Sequence, residues 1–166
     1  MGFQNFEKAL ELAKQCRGYM SVGCKVVGGG KSDEVISHGE KLIGFKFSRQ
    51  TYEFFKRVGF LMFSGKEIYG IVMDDFSGDT EDNAVEFSLK QRKEWKLPKE
   101  WLCIYNFGFD GYMGYLDYSD LNADGEPPVI MAVGAGKKYI VAERVAEDLG
   151  DFILGLVEEQ LARQSQ

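Results

Sequence analysis

Asp120, Asn122, Asp124 and Gly125 stand at positions one, three, five and six of a calcium-binding loop. In such a loop, alternate residues turn oxygen ligands inward and the glycine permits the sharp turn. The rest of the spacing does not complete the cage. Position eight, normally apolar and strand-forming, is Pro127; position nine is Pro128; position twelve, which must supply a bidentate carboxylate, is Met131. An Asn/Asp/Gly-rich turn between two strands accounts for the same residues. "KVVGGGKS" resembles a phosphate-binding loop, but Lys25 stands where the first glycine belongs, and a mobile linker is the expectation there. "GAGKK" at Gly134 lacks both the Ser/Thr and the first glycine. His38 is the single histidine, so no histidine-based nucleophile pair can form without it, and no multi-histidine metal set exists. Cys16, Cys24 and Cys103 fit neither a disulfide framework nor a zinc pattern and read as small apolar packing residues. Asp74/Asp75 and Asp79/Glu81/Asp82 crowd together on a loop, where adjacency is poor evidence for a positioned acid and base. No catalytic, cofactor-binding or metal-ligating residue is assigned, and the chain is not expected to be an enzyme.

The composition is that of one globular domain. Its 166 residues are 45% hydrophobic and 28% charged, enough for one core and too few for two. No apolar run approaches the roughly 20 residues that span a bilayer. "MGFQNFEKALELAKQ" lacks the apolar centre of a secretory signal, and Phe6 occupies the Ser/Thr position of a myristoylation motif. A cytoplasmic location is expected. The net charge of −6 is unevenly spread: residues 1–66 carry +5, residues 67–126 carry −9, and residues 127–166 carry −2. An acidic middle disfavours a nucleic-acid backbone as ligand and suits a basic protein partner.

Periodicity supplies the elements that must position these groups. Phe6, Leu10, Ala13 and Cys16 recur at helical spacing, with Asn5 as the expected cap. The glycines from Gly28 to Gly30 suggest a joint, so residues 1–32 are set apart as an N-terminal helical extension with a Gly-rich joint, and 33–166 as the main domain. "DEVISHGEKLIG" and "SRQTYEFFKRVG" read as two short helices, the first ending at Gly44 and the second capped by Ser48 and ended by Gly59. "FLMFSGKEIYGIVM" reads as a hairpin turning at Ser64-Gly65. Asn83 and Glu86 have the capping-box spacing of a further helix. Strands follow over "EWLCIYNF", "GYMGYLDY", "PPVIMAV" and "KYIVAE", with Asp110-Gly111 as a turn signal. In the first of these, Trp101, Cys103 and Tyr105 share one face and Leu102, Ile104 and Asn106 the other. A closing helix takes Val145, Leu149, Phe152, Ile153, Leu156 and Val157 as its apolar face. The expected class is α+β: a mostly antiparallel meander sheet flanked by N-terminal helices and a C-terminal helix.

The order of these segments carries a resemblance. Glu40, Leu42, Ile43 and Gly44 precede Phe47, Ser48, Tyr52 and Phe55, then Gly59 and "EIYGI". "LPKEWLCIYNFGFDGYMGYLDYS", "DGEPPVI" and "VAEDLGDFILGLV" follow. This series, over about three quarters of the chain, resembles the SUKH superfamily, in particular its Smi/Knr-like branch and the bacterial YobK-like immunity proteins. Ser48 departs from the usual proline, and "PVIMAVGAGKK" replaces acidic or aromatic residues, which puts a partner contact there in doubt. The resemblance implies binding without catalysis: neutralisation of a polymorphic toxin, often a nuclease, or a regulatory scaffold in cell-wall signalling. The expected docking set for a basic toxin domain is Asp74, Asp75, Asp79, Glu81, Asp82, Asp110, Asp120 and Asp124, with Phe76 as an exposed aromatic anchor. An enzyme or small-ligand binder using a pocket under the sheet is the third reading.

Overall fold

The computed structural model describes residues 2–21, 30–76 and 82–166. The order is α1 (Gly2–Ala13), β1 (Met20–Ser21), α2 (Asp33–Ile43), α3 (Arg49–Arg57), β2 (Leu61–Phe63) and β3 (Lys66–Ile68). It continues with α4 (Ala84–Trp95), β4 (Trp101–Asn106), β5 (Met113–Asp117), β6 (Val129–Ala135), β7 (Lys138–Ala146) and α5 (Leu149–Gln164). The expected α+β class with antiparallel pairing is what forms. The meander is divided, however, into a sheet β1-β2-β3 and a sheet β4-β5-β6-β7. A backbone bond from Tyr69 N–H to the Ile104 carbonyl, 2.8 Å, joins one to the other.

Local chemistry explains most element ends. The Ser32 hydroxyl accepts from the Val35 amide, and Gly44 at φ 93° closes α2 by donating to the Glu40 carbonyl. Asn83 Oδ1 accepts from the Glu86 amide at 3.0 Å, and Asp148 Oδ1 from the Asp151 amide at 2.9 Å. Ser64 and Gly65, both at positive φ, form the tight β2–β3 turn, and Asp110 and Gly111 do the same between β4 and β5. Gly70, in the "EIYGI" segment, is demanded by sterics: a Cβ there would lie 1.6 Å from the Gly59 carbonyl oxygen.

Several expectations are corrected. Helix α1 begins at Gly2, so Asn5 lies inside it and instead donates through Nδ2 to Asp151 at 2.8 Å. Ser48 holds the N-cap position of α3 but makes no side-chain cap; its hydroxyl donates to Thr51 Oγ1 at 3.0 Å. Val145 belongs to β7, not to the closing helix. A bulge between Cys103 and Tyr105 breaks the simple alternation of faces in β4, and Trp101 to Tyr105 are all buried. The turn expected over Gly134 to Lys138 tightens to Gly136 and Lys137. Lys31, at the end of the segment expected to be a mobile linker, is buried; Cys24, Gly28 and Gly29 lie outside the described residues.

Helix α1 packs on α5. Phe6, Ala9 and Ala13 are fully buried there, and Ile153 and Val157 of α5 are equally inaccessible. The two helices approach closely at Gly150, where an added Cβ would sit 2.7 Å from the Phe6 backbone. Replacing Gly150 with Ala therefore forces backbone apart from backbone. The expected loss is about 1–3 kcal/mol of stability, read as a lowered midpoint in chemical denaturation, and an unchanged midpoint would refute the close approach.

Candidate functional site

The loop between β3 and α4 begins the acidic surface. Asp74 and Asp75 are exposed. Asp74 is not a free carboxylate: Lys31 Nζ lies 2.9 Å from its Oδ1 and 2.7 Å from the Val72 carbonyl. The Lys31 side chain is only 2% exposed, against 50% for Asp74. A buried ammonium needs its counter-charge, so this pair pins the loop. Phe76, expected as an exposed anchor, is half-buried at φ 51°; its ring meets His38 edge-on at 5.2 Å and faces Gly39 of α2. Among the described residues, Trp95 and Phe109 are the strongly exposed aromatics. Asp79 and Glu81 lie outside the described residues.

Asp82 is exposed and stands near Glu67, a carboxylate the sequence reading passed over because it sits alone in strand β3. Burial, then the negative charge of Asp82, pushes the Glu67 carboxyl above its ordinary value. Among the described residues no cation bridges either group. Glu67 also lines an open cleft with Lys66, Tyr69, Tyr105 and Asn106.

The remaining carboxylates are not gathered on one face. Asp110 occupies the turn between β4 and β5, whereas Asp120 and Asp124 lie in the connection from β5 to β6. In an antiparallel meander those connections are at opposite ends of β5, roughly 17 Å apart by strand rise. Asp120 is engaged by Arg144 at 3.3 Å, and Arg144 also holds Glu147 at 2.9 Å. Asp124 and Asp110 are exposed. Among the described residues no three His, Cys, Asp or Glu side chains gather as a metal-ion set would.

The loop that carries calcium-like spacing has another task. Asn122 Oδ1 accepts from the amides of Asp124, 2.9 Å, and Glu126, 3.0 Å, while the Asn122 amide donates to the Glu126 carbonyl. This turn aims Glu126 inward, where it is 3% exposed. Its Oε2 accepts from the Gln50 amide at 3.2 Å, in the first turn of α3, supplying the cap that Ser48 does not. Gln50 Oε1 in turn accepts from the Gly150 amide of α5 at 2.7 Å. Burial pushes the Glu126 carboxyl up, and Asp148 and Asp124 add to the shift. Beside it Tyr118 donates to Thr51 Oγ1 at 2.8 Å, and burial raises its hydroxyl to about 12. Glu40 is a second inward carboxylate, accepting from the Phe47 amide at 2.7 Å across the α2–α3 connection.

Residues 33–153 match the model of the SMI1-KNR4 cell-wall family, SUKH_6. That covers well over half of the chain, and the chain belongs to this family. The expected Smi/Knr-like resemblance is thereby met at the level of the family. No curated protein matches significantly. The family segment contains Glu40, Glu126, Asp148 and Gly150; helix α1, against which Gly150 packs, precedes it. No helix among the described residues is long and apolar enough to cross a membrane.

Two outcomes separate structural from free carboxylates. Asp74→Asn leaves the Lys31 ammonium buried without its charge partner and is expected to remove about 1–3 kcal/mol, whereas Asp124→Asn should stay within about 0.5 kcal/mol; equal midpoints in urea titrations would contradict this. Glu126→Gln keeps an acceptor for the Gln50 amide and removes a buried charge. Because the folded carboxyl is raised above its ordinary 4.5, its stabilising contribution is fully present below the unfolded value and lost as pH rises through the folded one. Glu126→Gln should therefore be the flatter of the two in stability against pH between acid and neutral, and at least as stable at pH 7. Glu126→Ala, which loses the cap, should cost about 1–2 kcal/mol. Parallel pH profiles for wild type and Glu126→Gln would reject the charge argument.

Proposed function

We propose that this chain is a non-catalytic protein-binding domain that acts in the cytoplasm as an immunity protein, neutralising a cognate toxin by direct binding. The observation that carries the reading is uncompensated negative charge. Asp82 beside Glu67, and the exposed Asp110 and Asp124, have no cation on them among the described residues. Asp82 disfavours the charged form of Glu67 in the free protein, and exposed carboxylates left without a cation draw a basic surface, which speeds encounter and selects the partner. Asp75, Asp79 and Glu81 extend the same acidic stretch in sequence. A nuclease cleft, basic in order to hold phosphates, has the complementary charge. Asp74 contributes by pinning its loop through Lys31, and Asp120 by sharing Arg144 with Glu147, which leaves that cluster one negative charge in excess. Phe76 contributes by holding the loop against α2.

A regulatory scaffold of the Smi/Knr type is the second reading, favoured by the cell-wall description of the family. Both readings predict protein partners and differ in whether the partner is toxic. Co-expression with the product of the adjacent gene should rescue growth in the immunity case. Asp82→Lys combined with Asp124→Lys should slow association with that partner by about tenfold at low salt while leaving the fold intact. Undiminished toxicity in the presence of this protein rejects the immunity role, and a pull-down dominated by a non-toxic partner supports the scaffold.

A further inference from the structure

Strand β7 is the outer edge of the four-stranded sheet, nine residues long and, among the described residues, paired only on its β6 side. Lys138 and Ile140 to Arg144 are all exposed, with Ile140 at 51% and Val141 at 49%. Long, apolar edges of this kind are templates for another strand unless something blunts them. Bulges at Ala142 and Val145, the residues skipped in the pairing with β6, confine regular outward pairing to the first half of the strand.

The register determines what that half can accept. Gly136, at φ 70°, begins a two-residue hairpin turn closed by the pair Ala135–Lys138. Lys138 and Ile140 therefore direct their backbone groups toward β6, and Tyr139 and Val141 direct theirs outward. A second copy of the strand running antiparallel, with a two-fold axis at Ile140, places Tyr139 opposite Val141 of the other copy. Both are outward-facing residues that exchange hydrogen bonds. Ile140 then faces its own copy in the non-hydrogen-bonded position. A slip of two residues one way sets Tyr139 against Glu143, beyond the Ala142 bulge; the other way sets Val141 against Lys137 in the turn. The strand is thus complementary to itself in one register, in backbone and apolar contact.

We propose that β7 is a homodimer interface, in which two copies join their sheets edge to edge about a two-fold axis at Ile140. This is independent of the toxin-binding reading, which uses carboxylates on the connections between strands. The decisive experiment is disulfide trapping in full-length protein carrying Cys24→Ser, since Cys16 and Cys103 are buried. Opposed residues of a non-hydrogen-bonded pair have Cα atoms about 4.5 Å apart, within disulfide range. Ile140→Cys should give a covalent dimer on mild oxidation, and Val141→Cys, whose partner in this register is Tyr139, should not. Sedimentation equilibrium of the unmodified chain at micromolar concentration should show a dimer. Ile140→Lys should abolish it. A monomer at all concentrations, or equal trapping through both cysteines, overturns the proposal; an edge that instead takes a strand from another protein would appear as that monomer.

Discussion

Two helix N-termini, those of α3 and α5, are buried together and must find acceptors inside the protein. Unpaired amides there would each forfeit a hydrogen bond and leave the positive ends of two helix dipoles facing apolar surroundings. One relay joins them, alongside the Asp148 cap of α5. Glu126 comes from the β5–β6 connection to the Gln50 amide, and Gln50 reaches the Gly150 amide. The seat of α5 in turn sets the close approach of Gly150 to Phe6, and so the place of α1. Strand connection, second helix pair and terminal helix pair are thus linked through a single carboxylate and a single carboxamide.

The acidic residues divide by what surrounds them. Glu40 and Glu126 are buried and accept from backbone amides, Asp148 caps α5, and Asp74 neutralises a buried lysine. These hold connections together. Asp82, Asp110 and Asp124 stay in water, where like charges are tolerated because the solvent screens them. An acidic composition therefore serves two ends in one chain, and counting carboxylates does not distinguish them. Placement does: Asp74 and Asp82 look alike in the sequence, yet one pins a loop and the other faces solvent.

Elements whose signals are local were legible. The cap at Asn83, the left-handed Gly44 and the turns at Ser64-Gly65 and Asp110-Gly111 each depend on residues within one turn of each other. Asn5 misled because an asparagine near a helix start also serves as a donor to a distant carboxylate, here Asp151. Ser48 misled because its cap role had been taken over from outside the segment. Phe76 looked like an anchor because the loop around it is polar, although His38 and α2 cover it. Glu67 had no sequence signal at all, since only the fold brings Asp82 near it.

The amino-acid order alone determined the class of fold, the family, the turn character of Asp120 to Gly125 and the net negative middle of the chain. These follow from patterns and caps that a chain of this composition satisfies within a few residues. Tertiary structure decided which carboxylates are structural, that the acidic turns lie at opposite ends of the sheet, and that β7 is an edge strand among the described residues. The physical reason is distance along the chain: Gln50 meets Glu126 across 76 positions and Gly150 across 100. No local propensity encodes such a meeting, and only the packed core brings those groups within hydrogen-bonding reach.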